Sequence, residues 1–280
     1  MRQSVRHFLL AIQFFTRIPV TGRLADWVGY SPAMLRASAG HFPGVGVVVG
    51  AMVVGLTALL LALLPPSPFT PLVAAVLGTV LSVMVTGGFH EDGLADVADG
   101  LGGSSDRERA LVIMKDSRVG AFGVLAVVLA LLAKVSLLAL IGSVSPHWML
   151  LGIFAAHVVS RTWPLLLIRL MPHVGDAAGS KSKPLADQIS TGSLVAAGLW
   201  CFIAIAPVGI ASCAMNTGVI GTCTAADVVP LAAASLASGL GFVYVGRLLW
   251  RRLQGFTGDG LGATQQVCEI AFYLGLALAL

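Results

Sequence analysis

The chain has 280 residues, 57% of them hydrophobic and 11% charged, with a formal charge of +4. Soluble chains carry about 25% charged residues, so this composition excludes an ordinary soluble protein and points to a polytopic membrane protein whose length counts spanning segments. The small positive excess follows from where Lys and Arg fall between those segments and calls for no nucleic-acid partner.

A spanning helix needs about 20 mainly apolar residues. The N-terminal MRQSVRHFLLAIQFFTRIPV has a basic start, a short apolar run broken by Gln13 and Arg17, and no convincing cleavage site. It reads as an interfacial helix rather than a signal peptide. Seven stretches then qualify as spans: 43–65, 69–88, 119–142, 147–171, 192–214, 227–249 and 261–280. The expected fold class is all-α, a polytopic integral membrane helix bundle of about seven spanning helices plus the N-terminal interfacial helix.

Of the 17 Lys and Arg, fourteen lie in four regions, Arg2 to Arg36, Arg107 to Arg118, Lys181 to Lys183 and Arg247 to Arg252. The intervening loops near 65–68, 143–146 and 215–226 contain none. This alternation predicts cytoplasmic basic loops, the N-terminus inside and the C-terminus outside. Cys201 and Cys268 fall in apolar segments, whereas Cys213 and Cys223 fall at or in one predicted external loop, as a disulfide or as two unrelated thiols.

Directly after the second predicted span comes 86-TGGFHEDGLADVADGLGG-103, with Glu91, Asp92, Asp96 and Asp99 inside nine positions. On a helix, Asp92, Asp96 and Asp99 fall within an arc of about 60°. Converging carboxylates repel, and a hard cation relieves that conflict; Mg²⁺ binds a few carboxylate oxygens and leaves positions for water and phosphate. The other reading is a solvated acidic cap. His90 is a further ligand or acid/base, or else a boundary polar residue.

The following 107-RERALVIMKDSRVGAFG-123 supplies Lys115, Asp116 and Arg118 before the third span. Cations near Gly-rich backbone at a helix start suit phosphate, and a positive-inside flank is the bland alternative. Three charged residues inside spans attract notice because such charge is costly in lipid: Arg161 in SRTWP, Glu269, and Lys134. Arg161 and Glu269 either pair with each other or take separate phosphate and metal roles. Lys134 is expected to extend its amine toward an interface. In the last basic loop, Asp259 is flanked by four glycines within eight positions, as a ligand-approach site or as an N-cap of the final helix. The polar segment 172–190, with Lys181 and Lys183, is expected to form a mobile cover.

Together, FFTRIPV at 14–20, GGFHEDGLADVADGLGG at 87–103, RERALVIMKDSRVGAFGV at 107–124, SRTWP at 160–164 and GDGLGATQQVCE at 258–269 resemble the cobalamin synthase family, the adenosylcobinamide-GDP ribazoletransferases. Gly260 stands where the family often has Thr, which removes a hydroxyl there. The resemblance implies a single membrane-embedded catalytic domain over 1–280 in the bacterial inner membrane. It also implies Mg²⁺ and transfer of α-ribazole, or its 5'-phosphate, onto adenosylcobinamide-GDP with release of GMP. The expected ligands are Asp92, Asp96, Asp99 and Glu91, with Asp116, Asp259 and Glu269 in support, and Asp96 or Asp99 is the base. Expected phosphate contacts are His90, Lys115, Arg118, Arg161 and Lys181, and Lys115 and Arg118 are also catalytic candidates. The expected partners are these substrates and the lipid bilayer, with a homo-oligomer as a further option.

Two rivals remain. A CDP-alcohol phosphotransferase shares the opening of 96-DVADGLGG-103 but needs a later Gly-x3-Asp-x3-Asp half that is missing. A cation transporter would place its acids near mid-membrane.

Overall fold

The computed structural model describes residues 2–175, 189–217 and 225–280. Lys181, Lys183, Cys223 and the Cys213 side chain lie outside the described residues, and with them most of the expected cover segment and the cysteine pair.

In chain order the helices are α1 (Arg2–Phe15), α2 (Gly22–Val28), α3 (Pro32–Ser38), α4 (Phe42–Leu63), α5 (Thr70–Thr86), α6 (Phe89–Gly103) and α7 (Arg107–Ile113). They continue as α8 (Ala121–Val144), α9 (Pro146–Leu170), α10 (Thr191–Thr217), α11 (Ala225–Leu253) and α12 (Gly258–Ala279). Among the described residues no strand forms. Five helices are long and apolar enough to cross a membrane, and the bent pair α5–α6 makes up to a sixth.

The expected seventh span, 261–280, is helical but falls short of that apolar threshold. Gln265, Gln266 and Glu269 on α12 are buried in protein rather than turned to lipid. That helix is the axis of the bundle, packed against α6, α8, α9 and α11. Small residues allow the close approach: a Cβ added to Gly275 would lie 2.6 Å from the Ala233 carbonyl oxygen on α11. At Gly46 an added Cβ would overlap the His157 carbonyl, so α4 and α9 meet backbone to backbone. Such contacts replace the hydrophobic drive that lipid removes.

At 14 residues, or about 21 Å, α1 is too short to span. Its apolar side faces protein: Phe15 stacks on Phe42 at 4.2 Å and Phe8 on Trp200 at 5.2 Å. The far end of α6 is tied to α11 by Arg252, which donates to the Leu101 and Ser104 carbonyls at 3.1 and 2.6 Å. A basic residue thus satisfies carbonyls that a helix C-terminus leaves open.

Candidate active site

The chain breaks between α5 and α6 through an 88° bend. Gly87 and Gly88, at φ +69° and +70°, make that bend in the left-handed region that only glycine enters freely. The Gly88 amide closes the α5 terminus on the Val83 carbonyl at 2.9 Å, and the Gly88 carbonyl accepts from Asp92 at 2.8 Å to start α6. With four carboxylates in fifteen residues, α6 is no lipid-spanning segment by itself. The bend carries it across the line of α5, so the acids follow a span without continuing it.

Along α6 the acids grade inward: Asp92 is exposed, Asp96 half-buried and Asp99 buried. The Asp99 carboxylate accepts from the Gly120 amide at 2.7 Å and the Gly123 amide at 2.8 Å, neutralising the N-terminus of α8. Asp99 therefore joins α6 to α8, with both oxygens already engaged.

Asp259 comes to the same place from α12. Thr257 caps that helix, accepting from Gly260 at 3.1 Å, so the N-cap alternative for Asp259 falls to Thr257. Gly93 faces this turn so closely that an added Cβ would lie 2.7 Å from the Asp259 carbonyl oxygen. Burial, then the charges of Asp259, Asp92 and Asp99, push the Asp96 carboxyl up to about 7. Burial, and to a smaller extent Asp92, raise Asp259 as well. Asp92, Asp96 and Asp259 thus form one electrostatic group across two helices. A cavity of ≈ 800 Å³ opens at the Asp92 end of this group, its wall including Gln13, Arg17, Gly88, Phe89, Glu91 and Asp92.

The other expected residues divide differently. Glu91 is buried; one oxygen accepts from Gln266 at 3.0 Å and the other has no hydrogen-bond partner among the described residues. Glu269 stands ten residues, or about 15 Å, along α12 from Asp259, away from the acid group. It pairs with Lys134 at 2.7 Å and accepts from Gln265 at 2.8 Å and Tyr273 at 3.1 Å. The expected reach of Lys134 toward an interface is thereby corrected: its side chain is 3% exposed, because a charge within the bundle is stabilised by an opposite one. The alternative Arg161 to Glu269 pair is likewise replaced. Arg161 is buried, donating to the His157 carbonyl and contacting His157 Nδ1, both at 2.9 Å, with its guanidinium 5.8 Å from the Phe42 ring centre.

His90 is buried and stacked on Phe42, and burial followed by the Arg161 charge lowers its pKa well below the ordinary value. A neutral imidazole is a poor phosphate partner, and the structure keeps His90 on the apolar side of α6. Arg118 and Asp116 form a two-pronged pair at 2.6 to 3.2 Å, both outside the packed core, so they answer each other. Lys115 is exposed, and Lys181 lies outside the described residues. Sequence reasoning assigned no role to Arg17, His157, Gln265 or Gln266. The cost of charge in a span was a signal for matching Lys134 with Glu269, whereas the polar pairings of α12 had none.

For Mg²⁺, the donor chemistry fits: Asp92, Asp96 and Asp259 offer hard carboxylate oxygens whose mutual repulsion a cation relieves. Among the described residues no three His, Cys, Asp or Glu side chains are grouped closely enough to form a ligand set. The acids match in type and charge, without an assembled coordination shell.

A model of the family described as cobalamin-5-phosphate synthase matches residues 7–277. A protein of Albidiferax ferrireducens named adenosylcobinamide-GDP ribazoletransferase is 66% identical over 280 residues, covering 100% of both chains. Proteins of the same name from Polaromonas sp. and Leptothrix cholodnii are 61% and 45% identical, covering 99% and 97% of this chain and 98% and 95% of their own. No solved structure matches. With the family model spanning nearly the whole chain, this protein belongs to the cobalamin-5-phosphate synthase family.

Proposed function

We propose that this chain is an adenosylcobinamide-GDP ribazoletransferase, joining adenosylcobinamide-GDP to α-ribazole or its 5'-phosphate with release of GMP, the last assembly step of the cobalamin nucleotide loop. The observation that carries the site assignment is the electrostatic grouping of Asp92, Asp96 and Asp259 from two helices, with Asp92 on the wall of a cavity of ≈ 800 Å³. Neither rival gains support: the second half of the CDP-alcohol phosphotransferase pattern is missing, and α6 leaves the line of its span.

The reaction is substitution at a phosphoanhydride. A ribose hydroxyl of the ribazole bonds to the phosphorus nearer cobinamide, the bond to the GMP phosphate breaks, and the hydroxyl proton must go to a base. Asp96 is that base, taking the proton on a carboxylate oxygen. Asp99 positions α6 against α8 rather than accepting the proton, since both its oxygens are engaged. Asp92 and Asp259, with Asp96, would hold Mg²⁺, which when bound neutralises diphosphate oxygens.

The positive-inside pattern supports a bacterial inner-membrane protein with its N-terminus and acid group on the cytoplasmic side. The test is GMP release by the purified full chain in detergent or lipid, with both substrates and Mg²⁺. A folded preparation that releases no GMP overturns the assignment.

A further inference from the structure

The cavity beside the acids presents a charge problem that the proposed reaction makes acute. A diphosphate substrate entering past Asp92 and Glu91 meets negative charge, and three of the expected phosphate contacts, Arg161, Arg118 and His90, do not answer it. Arg161 is buried on His157, Arg118 is paired with Asp116, and His90 is buried against the Phe42 ring. Arg17 lines that cavity together with Asp92 and Glu91. Its side chain is exposed, and its guanidinium has no ion-pair or hydrogen-bond partner among the described residues.

An unpaired arginine on a free surface is unremarkable, but this one is held in place by three separate devices. Its backbone amide donates to the Val85 carbonyl at 2.7 Å, fastening the chain after α1 to the last turn of α5. Thr16, immediately before it, donates its hydroxyl to the Ile12 carbonyl at 2.7 Å and accepts from the Ile18 amide at 3.1 Å, closing the turn. The Arg17 side chain then lies directly over Gly87, where a Cβ would overlap its Nε and crowd its Cδ and Cγ, each 3.1 Å away. Gly87 thus serves twice, bending the chain toward the acids and admitting the arginine stem. Arg17 is fixed by the same bend that presents Asp92, yet is not paired with it.

We infer that Arg17 is a substrate-binding residue for the diphosphate of the nucleotide-bearing substrate, facing it from the N-terminal segment while the acids of α6 and α12 act from the other elements. This rests on the ribazoletransferase reading for the identity of the substrate; the chemistry, a diphosphate taken by an unpaired guanidinium on an anchored backbone, stands on the geometry. Guanidinium suits the task because its planar fork contacts two phosphate oxygens at once and its charge is always present.

The test measures GDP binding to the full detergent-solubilised chain by calorimetry, apart from turnover. Arg17→Gln is expected to weaken GDP binding at least tenfold. Arg17→Lys, which keeps the charge and loses the fork, is expected to weaken it about threefold or more. Arg23→Gln, which removes an exposed arginine from α2, is expected to change it less than twofold. Thermal unfolding checks that each variant is folded, and if Arg17→Gln fails to fold, Arg17→Lys decides. GDP binding by folded Arg17 variants within twofold of the unaltered chain overturns the inference, as does an unaltered chain that binds no GDP. Arg17-dependent GDP binding by a chain that forms no cobalamin product would sustain the diphosphate assignment and refute the ribazoletransferase reading.

Discussion

Lys134 on α8 and Glu269 on α12 form a 2.7 Å ion pair with side chains 3% and 1% exposed. The pair joins the peripheral α8 to the central α12, and Gln265 and Tyr273, on α12 itself, also donate to Glu269. Lys134→Met leaves Glu269 charged and buried and is expected to cost about 3–5 kcal/mol. The double change Lys134→Met with Glu269→Gln removes both charges and should recover part of that loss. Thermal unfolding in detergent measures both, and an unchanged midpoint for Lys134→Met would refute the pair as a structural tie.

Gly93 marks the crossing of α6 and α12. Gly93→Ala drives a methyl against the Asp259 carbonyl backbone, which cannot swing aside. The expected result is a loss of about 1–3 kcal/mol and a larger proportional loss of GMP release, because the helices that carry the acids are forced apart. Gly55→Ala, where an added Cβ meets nothing within 4 Å, is the matched control. Equal activity in the two variants would show that the α6–α12 distance does not matter.

Asp99 acts on structure before chemistry. Asp99→Ala uncovers the Gly120 and Gly123 amides at the start of α8 and should cost about 1–2 kcal/mol, the range for a lost helix cap. Asp99→Asn retains one acceptor oxygen and should cost less. Denaturant or thermal unfolding ranks the two, and the reverse order would contradict the capping role.

The crowding around Asp96 has a pH signature in the metal-free chain. Its folded pKa of about 7 lies above an ordinary unfolded value near 3.9, so between these values the folded chain binds more protons than the unfolded chain. Stability with EDTA present should therefore fall as pH rises from about 4 to about 7. Asp96→Asn should flatten that dependence, and Mg²⁺ should flatten it in the unaltered chain. The same slope in Asp96→Asn would assign the effect to another group.

Much of this was legible in the chain. Apolar stretches located the spans, and the spacing of Asp92, Asp96 and Asp99 placed acids on one helical face. Asp259 was recognisable from its glycines, and the structure brings it to Asp96. The division of labour was less legible, because it depends on contacts distant in sequence: Asp99 is engaged by amides 21 and 24 residues away, and Arg17 by the end of α5. The last helix misled for a related reason, since its polar residues face neighbouring helices and its hydropathy reflects the bundle interior rather than lipid. Arg17 was visible only as an interruption of an apolar run. Its use follows from the Gly87 bend, whose direction no local pattern states.

The central claim is that the acids meeting between α6 and α12 carry out nucleotide transfer. The most direct measurement is GMP release from adenosylcobinamide-GDP and α-ribazole by the unaltered chain and by Asp96→Asn, side by side with Mg²⁺ and with matched unfolding midpoints. The account predicts GMP and the cobalamin product from the unaltered chain and turnover lowered at least a hundredfold in the variant. A folded unaltered chain that releases no GMP, or an Asp96→Asn chain that releases it at the unaltered rate, would contradict it.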